Sequence, residues 1–363
     1  MRTEPNIYVC STVRHLLFAL LRAAECTDES HYILFFADYQ QASLADWHLA
    51  KLPANISVFE LSRGRFRQQL AGSLRGRLCY FLAMRGLSAP AIILRPLYSI
   101  LAAASPELAR ALADTRTPHL WLFNERNRMA RLLRLLVRRF SVLEDGEGNY
   151  LLQRCPWWKW PVRLIRGLPA RHRVFGEEVC CESVWVLHPG RLPAPVRHKG
   201  RQIDFLTSPA GLATINQLFG NHAISTSDAQ QVILASQPFG IPGVSTADKQ
   251  RVYGQIVDYL QAHGRPVVLK IHPAEDAGDY GFLGDRVRRA PAKIPLEALL
   301  LGATQAPVVL SVLSTAGLGF ERYCCRIKLC EDSASDALYF QTVQRWVADP
   351  KTLDTVLRQK LPA

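Results

Sequence analysis

The chain has 363 residues, 48% of them hydrophobic, enough to bury two cores of ordinary size and to exclude a disordered chain. Its formal net charge of +13 comes largely from arginines concentrated between Arg126 and Arg173, a local field that calls for an anionic partner: a phosphorylated substrate, an acidic membrane surface or nucleic acid. Its nine cysteines, two pairs of them adjacent, show neither metal-ligand spacing nor a disulfide framework.

The chain opens Met1-Arg-Thr-Glu-Pro-Asn and runs straight into Ile7–Cys10, with no apolar segment before a small-residue cleavage site, so a cytoplasmic location is expected. Ile7–Cys10, the capping pair Ser11-Thr12 and the periodic Leu16, Leu17, Leu20 and Leu21 predict a strand, a turn and a helix. Further strands are predicted at Tyr32–Phe36 and Ile56–Leu61. No glycine-rich phosphate fingerprint follows any of them, so this half is not expected to hold a dinucleotide or the phosphates of ATP; in a two-domain transferase it would be the acceptor half. Ala89–Ala104 is apolar, but Arg95 and two prolines make it too short and too broken to span a membrane.

Leu120–Glu125 reads as a strand, Arg126–Leu136 as a basic amphipathic helix, and Arg139–Leu143 as a strand ending in Glu144-Asp145-Gly146-Glu147. Strand alternation sends Glu144 and Asp145 to opposite sides, so one carboxylate enters a cleft and can act as general base. Two other readings stand beside it: a polar Asp-Gly turn, and an Asp145/Glu147 metal pair that is short of oxygen ligands. Trp157, Trp158 and Trp160, followed by Arg163, Arg166, Arg171, His172 and Arg173, suit the inner membrane surface, against the alternative that the tryptophans pack into a domain junction. No nucleic-acid-binding motif occurs, so nucleic acid is not expected as a partner.

After a polar, glycine- and proline-punctuated stretch from Gly200 to Asp228, strands and helices alternate regularly. Strands are predicted at Val232–Pro238, Pro266–Pro273, Val308–Leu313 and Arg326–Cys330, and helices at Asp248–His263 and Pro295–Leu301, with Ser314-Thr-Ala-Gly317 turning into another helix. Such repeats make a parallel sheet that binds ligand at the carboxyl ends of its strands. Those ends carry Ser236 and Gln237, then Lys270 and His272, two apart and so on one face, then Ser314 and Thr315 at a helix start suited to phosphate. Glu297 stands where a carboxylate would take ribose hydroxyls. A second His-Pro, His188-Pro189, has Val186 where the first has Lys270.

Glu144-Asp145-Gly146, His272-Pro273 and Ser314-Thr315, in that order, together with Ile294-Pro-Leu-Glu297, resemble the motifs of bacterial sialyltransferases, including the lipooligosaccharide sialyltransferases and the capsular polysialyltransferases. The likeness runs from about Leu120 to Gly319; before it only the fold pattern is compatible. It implies an α/β protein of two Rossmann-like domains facing across a cleft, the GT-B architecture, with an acceptor domain over 1–190 and a nucleotide domain over 191–363. It implies an inverting transfer of sialic acid or a related nonulosonic acid from a CMP-sugar to a hydroxyl of a cell-surface glycan, free or lipid-linked, with no cofactor and no metal. By the same resemblance Asp145 deprotonates the acceptor and His272 stabilises or protonates the departing CMP. Ser314 and Thr315 hold the phosphate, Glu297 the ribose, and Lys270 the cytosine or phosphate; Pro273, Ser236 and Gln237 complete the donor site, and Glu144 and Gly146 flank the base. The competing readings are a transferase using a UDP-sugar or CDP-glycerol, and a non-catalytic basic protein bound to membranes or polyanions.

Overall fold

The structure is a computed structural model that describes residues 5–40, 44–113, 118–137, 139–219, 231–238, 240–272, 275–291, 294–301, 303, 305–314, 316–330 and 336–361. Pro273 and Thr315 lie outside the described residues. The chain divides into two compact units, Met1–Leu218 and Phe219–Ala363.

The first unit is built on β1 (Asn6–Cys10), β2 (His31–Phe36), β3 (Ile56–Leu61), β4 (His119–Leu122), β5 (Phe140–Leu143), the short pair β6 (Gln153–Arg154) and β7 (His172–Arg173), β8 (Cys181–Val186) and β9 (Gly200–Gln202). Seven of these form one parallel sheet in the order β3-β2-β1-β4-β5-β8-β9, while β6 and β7 pair antiparallel apart from it. Every residue of β1 and of β5 is buried. Central strands of a parallel sheet are covered on both faces, which is why they read as unbroken apolar runs. The helix Val13–Glu25 follows β1, with the Thr12 hydroxyl capping the His15 amide at 3.1 Å. The predicted basic helix is shorter than expected: Arg128–Leu133 is helical, capped by Asn127, and Arg134–Leu136 tightens into a single 3₁₀ turn. Several arginines are internal glue. The guanidinium of Arg22 stacks 4.0 Å from Trp121 and 4.7 Å from Trp185, and that of Arg134 lies 4.4 Å from Phe140.

The glycine- and proline-punctuated stretch after Gly200, for which no element was predicted, contains β9 and a helix, Pro209–Phe219; β9 pairs with β8 in the first sheet. Pro209 opens this helix, where its missing N–H costs nothing. Gly211 lies where a Cβ would come within 2.9–3.3 Å of Leu21, so the glycine marks close packing rather than a turn.

The second unit has β10 (Val232–Ala235), β11 (Val267–Lys270), β12 (Arg288–Arg289), β13 (Val308–Ser311) and β14 (Cys325–Lys328), all parallel, in the order β12-β11-β10-β13-β14. The helix Thr246–Ala262 is held at its start by a reciprocal capping box between Ser245 and Asp248, and Gly264 follows it at φ 68°. Both arginines of the edge strand β12 are exposed. Among the described residues no helix lies between β13 and β14, where one was predicted after Ser314: residues 316–319 form a turn, with Gly317 at φ 73° and Gly319 at φ 87°. A right-handed helix cannot pass through two such left-handed residues. No described helix is long and apolar enough to cross a membrane.

Candidate functional site

In each unit the order of strands reverses beside the first strand laid down, between β1 and β4 in the first sheet and between β10 and β13 in the second. Connections leave such a point in opposite directions and open a crevice at the carboxyl ends, the place where open α/β sheets take ligands. In both units several of the described candidate residues stand at or just after the carboxyl ends of these and the neighbouring strands.

In the first unit Asp145 follows β5, Asn124 follows β4, and Ser11 and His15 follow β1. The Ser11 amide donates to His15 Nδ1 at 3.2 Å, so that nitrogen carries no proton. The ring proton is therefore on Nε2, which donates to Asp145 Oδ1 at 2.5 Å. His15 is itself fixed, buried and stacked face to face on Phe123 at 4.2 Å. Asn124 donates to Asp145 Oδ2 at 3.1 Å, and the Asp145 amide donates to Asn149 Oδ1 at 2.9 Å. Burial pushes the Asp145 carboxyl up, but the adjacent His15 and the Asn124 amide outweigh it and hold it below the usual carboxylate range. The result is an ionised carboxylate, oriented by two donors, with 28% of its side chain still exposed.

Glu144 points the other way. It is wholly buried, Oε2 accepts from the Tyr150 hydroxyl and from the Leu187 amide at 2.8 Å, and burial raises its pKa. It ties β5 to the chain after β8. Gly146 has φ 134° and ψ −152°, a conformation reached almost only by glycine, so it fixes the turn that presents Asp145.

In the second unit β11 ends at Lys270, so strand alternation does not extend to His272 as expected. Lys270 is buried and its ammonium donates to the Pro291 carbonyl at 2.8 Å; burial pulls its pKa down to about 8, against the pull of Glu297. Glu297, also buried, sits in the first turn of the helix Leu296–Leu301. His272 is half-buried and its pKa is lowered by burial, with Lys270 and Lys249 adding to the effect and Glu275 opposing it. Lys270 and His272 are thus electrostatic neighbours despite the early end of the strand.

Ser236 does not present a free hydroxyl. It donates to Glu275 Oε2 at 2.5 Å and accepts from the His272 amide at 2.9 Å, fastening the loop after β11 to the end of β10. Glu275 also receives Lys249, and Tyr280 at 2.9 Å. Gln237 bridges the switch point, its Oε1 accepting from the Leu313 amide at 2.9 Å. The Ser314 hydroxyl accepts from the Ala316 amide at 3.1 Å, and Arg326 donates to the Ser314 carbonyl at 3.0 Å. Without a helix behind it, Ser314 lacks the dipole that the sequence reading assigned to a phosphate site.

His15, Asn124, Lys249, Glu275 and Arg326 escaped the sequence reading. His15 and Asn124 each stand within five residues of a strand's carboxyl end, the signal that would have found them. Of the three tryptophans, Trp157 is 72% and Trp158 62% exposed, whereas Trp160 is half-buried and donates its indole N–H to the Cys155 carbonyl at 3.0 Å.

No protein-family model and no curated protein sequence matches this chain. Solved structures do. The α/β-galactoside α-2,3-sialyltransferase of Photobacterium phosphoreum superposes with a TM-score of 0.53 at 10% identity, covering 95% of this chain and 96% of that one. The sialyltransferase of Photobacterium damsela gives 0.50 at 13% identity, covering 98% and 79%. A UDP-GlcNAc 2-epimerase from Neisseria meningitidis gives 0.47 at 10%, covering 97% and 94%. At such identities the likeness is one of fold, and the chain has the two-unit parallel α/β fold of the GT-B class.

Proposed function

We propose that this protein is an inverting glycosyltransferase that moves sialic acid or a related nonulosonic acid from a CMP-sugar to a glycan hydroxyl, without a metal. The observation that carries the reading is Asp145: an ionised, partly exposed carboxylate at a topological switch point, oriented by His15 and by Asn124. It takes the proton of the acceptor hydroxyl as that oxygen attacks the anomeric carbon, while the bond from that carbon to the CMP phosphate oxygen breaks. The low pKa keeps Asp145 in the basic form at neutral pH and makes proton transfer late, as suits attack on an oxocarbenium-like carbon.

At the leaving group, Lys270 and His272 supply positive charge and an N–H donor. With its pKa lowered, His272 is mostly neutral before the donor arrives and stabilises the departing phosphate first by hydrogen bonding. Glu297 stays with the ribose in this reading, and the loop held by Ser236 sets the position of His272 rather than touching the donor.

The test is incubation with CMP-sialic acid and CMP-Kdo, with terminal-galactose, sialyl and lipid-A-type acceptors, following CMP release with and without EDTA. EDTA-insensitive release confined to acceptor-containing reactions is expected. Absence of release from every CMP-sugar, together with thermal protection by UDP or CDP but not CMP, would transfer the assignment to a UDP-sugar or CDP-glycerol donor.

A further inference from the structure

A cavity of about 1130 Å³ lies within the first unit, lined by neither Asp145 nor His15. Its wall comes from the end of the helix Leu74–Arg85 and the residues after it, from Glu125 to Val137, and from Cys155 to Cys180. Eight cationic side chains and three carboxyls line it, so it is strongly positive. Part of that charge is compensated inside the protein: Glu178 takes both Arg134 and Arg166, at 2.8 Å for the latter, and Glu177 pairs with Arg163 at 2.8 Å. Arg126, Arg131 and Arg173 have no carboxylate within ion-pair distance among the described residues. Arg126 Nη2 and Arg173 Nε are buried nitrogens with no hydrogen-bond partner there. Burial and the neighbouring arginines lower the pKa of Arg131, and the same two causes act on Arg126. Buried donors without acceptors, in a field of like charge, are costly unless an anion joins them.

Glu125 reaches the same cavity, 3% exposed, with one carboxyl oxygen unpartnered among the described residues. Burial pushes its pKa up to about 7, so near neutrality it carries a proton much of the time and can donate to an anion's oxygen rather than repel it.

Exposed apolar side chains stand at the cavity and on the segments that flank it, beside the exposed lining cations Arg85 and Lys159. Trp158 and Leu87 belong to the lining and are 62% and 41% exposed, and Trp157 beside them is 72% exposed. The helix Trp160–Ile165 contributes Val162 and Arg163 to the wall while leaving Leu164 63% and Ile165 82% exposed. A soluble anion needs no such apolar groups. A lipid does, because its phosphate lies at the level where tryptophan rings sit and its chains begin where leucine and isoleucine insert.

We infer that this cavity holds the phosphate headgroup of an anionic membrane lipid, with Trp157, Trp158, Leu164 and Ile165 entering the bilayer surface around it. The inference is independent of the donor sugar and of the transfer reaction.

The experiment is co-sedimentation of the full chain with vesicles of phosphatidylcholine alone or with phosphatidylglycerol added, read alongside quenching of tryptophan fluorescence by brominated chains. Binding at least tenfold stronger to the anionic vesicles is expected, with about a fivefold loss for each of Arg131→Gln and Arg173→Gln. The double variant W157S/W158S, altered only at exposed positions, should lose both partitioning and quenching while its circular dichroism is unchanged. Equal binding to both vesicles, or no binding to either, overturns the inference. So does anionic binding that survives both arginine variants, which would reduce the cavity to a bystander. Thermal protection by inorganic phosphate without vesicle binding also overturns it, assigning the cavity to a soluble anion instead.

Discussion

The two candidate sites lie at equivalent places in their sheets, yet they treat charge in opposite ways. At the switch point of the first unit the charge is negative and fully provided for: His15 and Asn124 cover both oxygens of Asp145, and its pKa is lowered. At that of the second unit the charge is positive and under strain: burial lowers the pKa of both Lys270 and His272. The first is a base ready before any ligand arrives. The second has basic groups whose proton affinity an incoming phosphate would restore. The acidic site therefore depends on the protein's own hydrogen bonds, and the basic one on its ligand.

The strongest test of this contrast is removal of the two central groups. Asp145→Asn keeps an acceptor for His15 and should fold normally while turnover falls on the order of 100-fold or more, and His272→Ala should lose a comparable factor. Unchanged kcat in either variant removes that residue from the chemistry. On stability rather than rate, Glu275→Gln strips the buried partner of Lys249 and loosens the loop that carries His272; a loss of about 3–5 kcal/mol in urea unfolding is expected. Loss well below that range would mean that the loop is held by other contacts.

His15→Phe probes the opposite side. Loss of its hydrogen bond to a charged group should cost roughly tenfold in rate, and the acid limb of the pH–rate profile should move to higher pH, because burial then acts on Asp145 unopposed by His15. A parallel drop at all pH values would show His15 to be structural only. The smallest effect concerns Lys270. With its pKa near 8 in the free protein and raised by a bound phosphate, CMP binding should weaken up to roughly tenfold between pH 7 and pH 9, with proton uptake visible calorimetrically in buffers of different ionisation enthalpy. The sign follows from the lysine: above pH 8 it is neutral and must take up a proton to meet the phosphate. Binding that is flat across this range would mean that Lys270 does not face the ligand.

Most of the strands were legible because buried parallel strands are short, apolar and bounded by turns, and β3 matches its predicted limits at both ends. Asp145 was visible for the same reason, as an acid at the end of such a run. His15 was not, because what joins it to the candidate site is a partner 130 residues away. Ser236 resembled a ligand donor, and only the fold shows its hydroxyl used up between Glu275 and the His272 amide. The helix expected after Ser314 failed on Gly317 and Gly319, whose left-handed backbone a hydropathy pattern does not register. The net charge is partly internal. Arg22, Arg134 and Arg163 face aromatic rings and carboxylates inside the first unit, which a count of charges along the sequence does not register.

One edge of the second sheet consists of β12, two residues long and both of them exposed arginines. A parallel edge offers unpaired amides and carbonyls to any extended chain, and another copy of the same protein is the commonest one available. Two arginines repel their own kind at the distance that strand pairing requires. The edge is thereby closed to self-templating, so molecules brought to high local density should stay separate particles instead of growing into sheets.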